Sequence, residues 1–215
     1  MNNSLGSLDV IVERNVEVPM RDGTLLRADI WRPDLAGQFP VLIERTPYDK
    51  TASSESSLGA GEYYASHGYV TVIQDVRGRF ASDGVFYPFR DDGDGENQDG
   101  YDTVEWAAAQ PWSNKKIGTI GGSYSGATQY RMLATQPPHL VAQFVRQSSS
   151  DYYIEWVYRS GVFEHGFNIS WTLKHASTNA VKLAPEGMED EVVTRLTKAS
   201  DDYQKWLEHV PISPL

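Results

Sequence analysis

Lys116-Ile117-Gly118-Thr119-Ile120-Gly121-Gly122-Ser123-Tyr124-Ser125-Gly126 is the stretch that decides the fold. An apolar run enters it, small residues surround one serine, and a helix-like segment from Ala127 to Thr135 leaves it. Strand, tight turn with a serine, then helix is the layout of a nucleophile elbow. Such a turn is so sharp that only residues with little or no side chain fit around the serine. Gly121, Gly122 and Gly126 meet that demand. The geometry lifts the Ser123 hydroxyl above the end of a sheet and aims the backbone N–H of Tyr124, at a helix N-terminus, toward the same place. An exposed serine beside such a donor is half of an acyl-transfer site. The stretch departs from the strict G-x-S-x-G form, because Ser125 stands two after the serine and glycine follows at Gly126. The competing reading is a glycine-rich strand-to-helix turn whose serine is incidental.

The flanking sequence supplies the sheet. Val10 to Val18 alternates as a strand, Met20-Arg21-Asp22-Gly23 carries a turn signature, and Leu25 to Trp31 reads as the returning strand, stopped at Arg32-Pro33. Phe39 to Ile43 and Tyr69 to Ile73 are short apolar runs of the kind buried on both faces. Ser53 to Ala65 between them starts as a polar loop and ends as a short helix. Tyr101 to Ala109 suits a helix with Val104, Ala107 and Ala108 inward, capped by Asp99 or Asp102 and stopped at Gln110-Pro111. Leu140 to Val145 reads as a further strand. Strands alternating with helices from about residue 39 to 145 predict a mainly parallel α/β sheet behind an opening antiparallel hairpin. Ser123 falls at the carboxyl end of one such strand, where these sheets bind ligands. After Ser150 aromatics become dense and no strand pattern stands out. Val192, Leu196, Ala199, Tyr203, Trp206, Leu207 and Val210 then form an amphipathic stripe that Ser200-Asp201-Asp202 divides. The expected division is a first half-domain over residues 1–150 and the start of a helical lid over 151–215.

Composition narrows the partners. The 215 residues carry a net charge of −10, and no basic run exceeds Lys115-Lys116, which excludes a nucleic-acid partner. The absence of cysteine excludes disulfides, thiolate metal sites and cysteine nucleophiles. No apolar stretch approaches the roughly 18 residues of a membrane span, and Met1 to Gly6 lacks the features of a signal peptide. The expectation is a cytoplasmic protein without a membrane partner, with homo-oligomerisation left open.

With the elbow placed, four segments fall into order. Arg45-Thr46-Pro47-Tyr48-Asp49-Lys50 follows the third strand, and Gln74-Asp75-Val76-Arg77-Gly78-Arg79 the fourth, trailed by Ser82-Asp83-Gly84. Gly100-Tyr101-Asp102-Thr103-Val104-Glu105-Trp106 opens the helix before the elbow, and Ser123-Tyr124-Ser125-Gly126-Ala127-Thr128-Gln129 forms the elbow itself. In this order and spacing the chain resembles the peptidase S15 group of α/β-hydrolases, which includes Xaa-Pro dipeptidyl peptidases, cocaine esterase, α-amino acid ester hydrolases and glutaryl acylases. The resemblance runs from about Val16 to Val145 and continues more weakly beyond. It implies a serine hydrolase acting on a small-molecule ester, amide or peptide, with no cofactor. It also implies Ser123 as nucleophile, with the Tyr48 hydroxyl and the Tyr124 N–H as oxyanion donors. Asp75, Arg77 and Arg79 match the pattern too, either as binders of a substrate carboxylate or, the reading we favour, as ion pairs fixing their loop. The acidic run Asp91 to Glu96 lacks EF-hand spacing and reads as a solvated loop rather than a calcium site.

A serine nucleophile in this fold requires an acid and then a histidine later in the chain. His139, His165, His175 and His209 follow Ser123, and Asp151 offers an acid. The lid position of His165 and His175 argues against the order Ser123, Asp151, His165. We therefore read the histidines as structural or surface groups and expect the triad acid and histidine beyond Leu215, the chain being the N-terminal part of a longer hydrolase. The alternative is a non-catalytic binding module of the same fold with an incomplete triad.

Overall fold

The computed structural model describes residues 7–52, 60–93, 95–202, 204, 205 and 208, and the chain divides into two units at Ser148 and Ser149. In the first unit, β1 (Val10–Pro19) and β2 (Leu25–Pro33) pair antiparallel around the Met20–Gly23 turn, where Gly23 takes φ 85°. β2 runs two residues further than its sequence suggests. Pro33 closes the ladder opposite Val10, a terminal position where a missing N–H is tolerated. The next strands are β3 (Phe39–Thr46), buried β4 (Val70–Asp75), β5 (Ser113–Gly122) and β6 (Leu140–Arg146). Helices α1 (Ala60–Ser66), α2 (Asp99–Ala108) and α3 (Tyr124–Leu133) stand between them. The loop expected ahead of α1 falls on residues 53–59, outside the described residues.

One sheet results, in the order β1-β2-β4-β3-β5-β6. β2 meets β4 antiparallel, whereas β4, β3, β5 and β6 are mutually parallel. The sheet is thus mainly parallel with an antiparallel opening hairpin, an α/β-hydrolase arrangement. Its strands carry the alternation that a two-sided sheet requires. Val70 and Val72 of β4 join Ile43, Ile117, Val104 and Ala107 in one core, while Ile73 turns to the other face with Trp31 and Ala65.

The capping of α2 differs from the expectation. Gln98 holds the N-cap position without a side-chain bond. Asp99 lies inside the first turn and pairs with Arg77, and Asp102 pairs with Arg21. Both carboxylates are drawn to guanidinium groups, which bind them more strongly than a helix N–H does.

The second unit begins with a π-helical turn (Tyr153–Val157) and contains a hairpin the sequence did not announce, β7 (Tyr158–Arg159) with β8 (Val162–Phe163). Its signal is the dipeptide Ser160-Gly161, which takes φ 51° and 81°, the sign that a tight type I′ connection needs. Helices α4 (His165–Leu183) and α5 (Glu189–Asp201) follow and pack on each other. The amphipathic stripe lies on α5 through Val192, Leu196 and Ala199, and the helix ends at Asp201 where the polar break was expected. Tyr203, Trp206, Leu207 and Val210 lie outside the described residues. Among the described residues no helix is long and apolar enough to cross a membrane.

Candidate active site

The sheet order places a crevice. β3 is followed in sequence by β4 on one side, but its other neighbour is β5, so the order reverses between β3 and β5. The ladder joining these two strands stops at Ile43 opposite Thr119. Beyond that point β3 stays with β4 as far as Thr46 opposite Asp75, and β5 stays with β6 as far as Gly122 opposite Arg146. The strands therefore part at their carboxyl ends, the position where open α/β sheets bind ligands. Tyr48 follows one lip and Ser123 the other.

Ser123 has the backbone of an elbow. It takes φ 54° and ψ −120°, outside the regions that L-residues favour. Such a residue costs about 1–3 kcal/mol and persists only where its surroundings enforce it. Its N–H donates to the Arg146 carbonyl, and its own carbonyl accepts from the N–H groups of Gly126 and Ala127, each at 3.0 Å, and from the Ser148 hydroxyl at 2.8 Å. Two glycines make the turn fit. A Cβ on Gly121, which takes φ +143°, would lie 2.5 Å from the Cβ of Ser125, and one on Gly126 would lie 2.5 Å from the Cβ of Ser148. The Ser123 side chain is exposed and does not cap α3. Ser125, two residues on, is 3% exposed and so lies beneath the turn rather than above it.

Tyr48 is half-buried, its N–H bonded to the Thr46 hydroxyl at 3.1 Å and its ring edge-on to that of Tyr124 at 6.2 Å. The Tyr124 side chain is a buried plug. Its ring stacks on Phe89 at 4.3 Å, and its hydroxyl accepts the Phe89 N–H at 2.8 Å. Burial, with Asp92 nearby, holds its phenol well above the ordinary tyrosine range. Tyr124 thus opens α3 with its side chain packed into the core of the first unit. The fold brings Ser123, Tyr48 and Tyr124 together.

The charged residues after β4 are engaged in holding the loops. Asp75 accepts from the Lys50 N–H and ammonium at 2.7 and 3.0 Å. Arg77 bridges Asp99 and Asp22, and these bonds hold its guanidinium above its usual range although burial works against the charge. Arg79 donates to the Pro47 carbonyl at 2.8 Å and so pins the residue before Tyr48. This is the loop-fixing arrangement rather than an open carboxylate-binding cluster. The acidic run corrects the sequence reading. Asp91 and Asp92 are 7% and 4% exposed, not solvated, because Arg45 pairs with Asp92 and Asn97 and Arg90 bond Asp91. Asp94 lies outside the described residues, and among the described residues no group of three or more His, Asp or Glu could hold a metal ion.

The model of the X-Pro dipeptidyl-peptidases of the S15 family matches residues 22–213. The chain belongs to the peptidase S15 family. It is 42% identical over 145 residues to the cocaine esterase of a Rhodococcus strain, an overlap of 66% of this chain and 24% of the esterase. A CocE/NonD family hydrolase from Staphylococcus aureus superposes with a TM-score of 0.70 at 32% identity, over 79% of this chain and 33% of its own. An α-amino acid ester hydrolase superposes with a TM-score of 0.62 at 26% identity, over 97% of this chain and 39% of its own. The chain thus spans about a quarter to two fifths of the length of these relatives.

In this S15 chain neither histidine of the first unit stands at the elbow. His67 bonds the Tyr63 carbonyl at 2.7 Å and packs on the Tyr63 ring. His139 bonds Glu105 at 2.7 Å and precedes β6, at the amino end of the strand, whereas Ser123 is at the carboxyl end of β5. In the second unit Asp151 caps the π-helical turn, accepting from the N–H groups of Tyr153 and Ile154. Glu44, buried on β3, went unremarked in the sequence. Its only signal is a carboxylate directly after an apolar strand run.

Proposed function

We propose that this chain carries the nucleophile and oxyanion donors of a serine hydrolase that cleaves an ester or amide through an acyl-Ser123 intermediate. The observation that carries the reading is Ser123 itself, exposed, strained and set at the crevice between β3 and β5. In this mechanism the Ser123 oxygen attacks the substrate carbonyl and its proton passes to a general base. The carbonyl oxygen, now an anion, accepts bonds from the Tyr124 N–H and the Tyr48 hydroxyl. The intermediate collapses, the leaving alcohol or amine takes the proton from the base, and water then releases the acid from Ser123. The chemistry requires no cofactor. The base comes from outside residues 7–148, since both histidines there are committed elsewhere. The helical second unit serves as part of a lid. Relatives named for ester cleavage support small esters as the first substrates to test, with peptide amides second.

The experiment is hydrolysis of a p-nitrophenyl ester by the full-length product carrying this sequence, compared with its Ser123→Ala variant. We expect a loss on the order of 10⁵-fold in kcat with the fold retained. A variant that keeps near-parental turnover would refute the assignment.

A further inference from the structure

Arg79, on the loop after β4, is 1% exposed. A guanidinium is costly to keep there, and burial pushes it below its usual range. An apolar side chain of similar volume would meet no such penalty. The surroundings hold Arg79 in one pose. Its guanidinium lies over the Phe80 ring at 4.9 Å and the Phe86 ring at 5.0 Å. Its backbone N–H donates to the Val76 carbonyl at 3.0 Å, and its carbonyl accepts from the Ser82 N–H at 2.9 Å. From that pose its Nε–H donates to the Pro47 carbonyl at 2.8 Å.

That carbonyl belongs to the peptide unit joining Pro47 to Tyr48. The opposite edge of the same unit is the Tyr48 N–H, which donates to the Thr46 hydroxyl at 3.1 Å. A peptide unit is planar, so bonds on both edges fix its tilt. The tilt sets the direction in which the Tyr48 side chain leaves the backbone. The turn is anchored before and after this unit. The Val76 N–H donates to the Thr46 carbonyl at 3.0 Å, and Asp75 accepts from the Lys50 N–H and ammonium. Between those anchors Asp49 takes φ 76°, a conformation that persists only where its surroundings enforce it. We propose that Arg79 is a positioning residue that sets the direction of the Tyr48 hydroxyl by fixing the Pro47–Tyr48 peptide through its Nε–H. This inference rests on the acyl-Ser123 reading above, in which that hydroxyl meets the oxyanion. Arg79 itself is buried and acts through Tyr48 alone.

A misdirected hydroxyl weakens the transition state more than the bound ester. The test uses Arg79→Met, Arg79→Gln, Tyr48→Phe and the Arg79→Met/Tyr48→Phe pair in the full-length product carrying this sequence. It reads kcat and KM for a p-nitrophenyl ester, with thermal unfolding as the check that each variant folds. Arg79→Met keeps the stem and removes the donor. It is expected to lower kcat about 10- to 100-fold, the scale of a small misplacement of catalytic groups, with KM within about twofold. Arg79→Gln carries an amide N–H at the branch point where arginine carries Nε, without the charge. It is expected to stay within about fivefold of the parent. In the Tyr48→Phe background Arg79→Met is expected to cost no more than about threefold further, because the group it positions is already gone. Parental kcat in Arg79→Met, a Gln variant as poor as the Met variant, or multiplied losses in the pair would each overturn the inference. If Arg79→Met does not fold, Arg79→Lys, which keeps the charge and sets a methylene at the Nε position, replaces it in both comparisons. Ser123→Ala runs alongside. An active Ser123→Ala refutes the nucleophile reading, and a parental Tyr48→Phe refutes the oxyanion role of Tyr48 and with it that of Arg79. An inert Ser123→Ala and an impaired Tyr48→Phe beside a parental Arg79→Met remove the Arg79 proposal alone.

Discussion

Tyr48 and Ser123 approach one crevice from separate strands, and each is held by neighbours that do no chemistry. Arg79 fixes the carbonyl of Pro47, and the Tyr48 ring rests against Tyr124. If the Tyr48 hydroxyl donates to the oxyanion, Tyr48→Phe removes one of two donors while leaving the ring packing intact. We expect turnover to fall about 10²- to 10³-fold with a smaller change in KM, measured on the ester above. Unchanged turnover would make Tyr48 a packing residue only. Ser123 was legible in the sequence because glycines and a serine in this order have few other uses. Glu44 was not, since a carboxylate after an apolar run looks like a strand end. Its burial is set by strands that lie elsewhere in the sequence, β4 and β5 on either side of β3. The burial of Asp92 was hidden for the same reason, its counter-charge Arg45 lying in another segment.

At the scale of elements, Arg77 joins three of them. It binds Asp22 in the β1–β2 turn at 2.7 Å and Asp99 in α2 at 2.6 Å, from the loop after β4. The bond to Arg77 holds the Asp22 carboxyl down at about 2 from its ordinary 3.8. The unfolded chain therefore binds this proton more readily than the folded one. Asp22 contributes stability above about pH 4 and loses it as the pH falls through 2. Thermal unfolding of Asp22→Asn should show a lower midpoint than the parent at pH 6 and a gap that closes as the pH approaches 2. A gap that persists at pH 2 would mean that the pair is not what the substitution removes. The turn and the α2 stop could be read from Asp22-Gly23 and Gln110-Pro111. The α2 cap could not, because Asp99 answers to Arg77, a partner that sequence spacing does not reveal.

For the whole molecule, alternating strands and helices predicted a mainly parallel sheet, and that is its form. The strand order, and with it the crevice between β3 and β5, depended on tertiary pairing and came only from the structure. The short hairpin of the second unit escaped notice because strands of two residues leave no periodicity. β6 closes the described sheet as an edge strand, with Val141 and Phe144 exposed by 64% and 61%. Apolar edges of this kind template aggregation. Val141→Lys in the 215-residue chain should therefore lower aggregation measured by light scattering at fixed concentration, and an unchanged rate would show that the edge is not the adhesive surface. The central claim is that Ser123 is the nucleophile, and its most direct test is chemical. The full-length product carrying this sequence should be treated with a fluorophosphonate and the adduct mapped by peptide mass. We predict one adduct, on Ser123, that disappears in Ser123→Ala. An adduct on another residue, or one that survives that substitution, would contradict it.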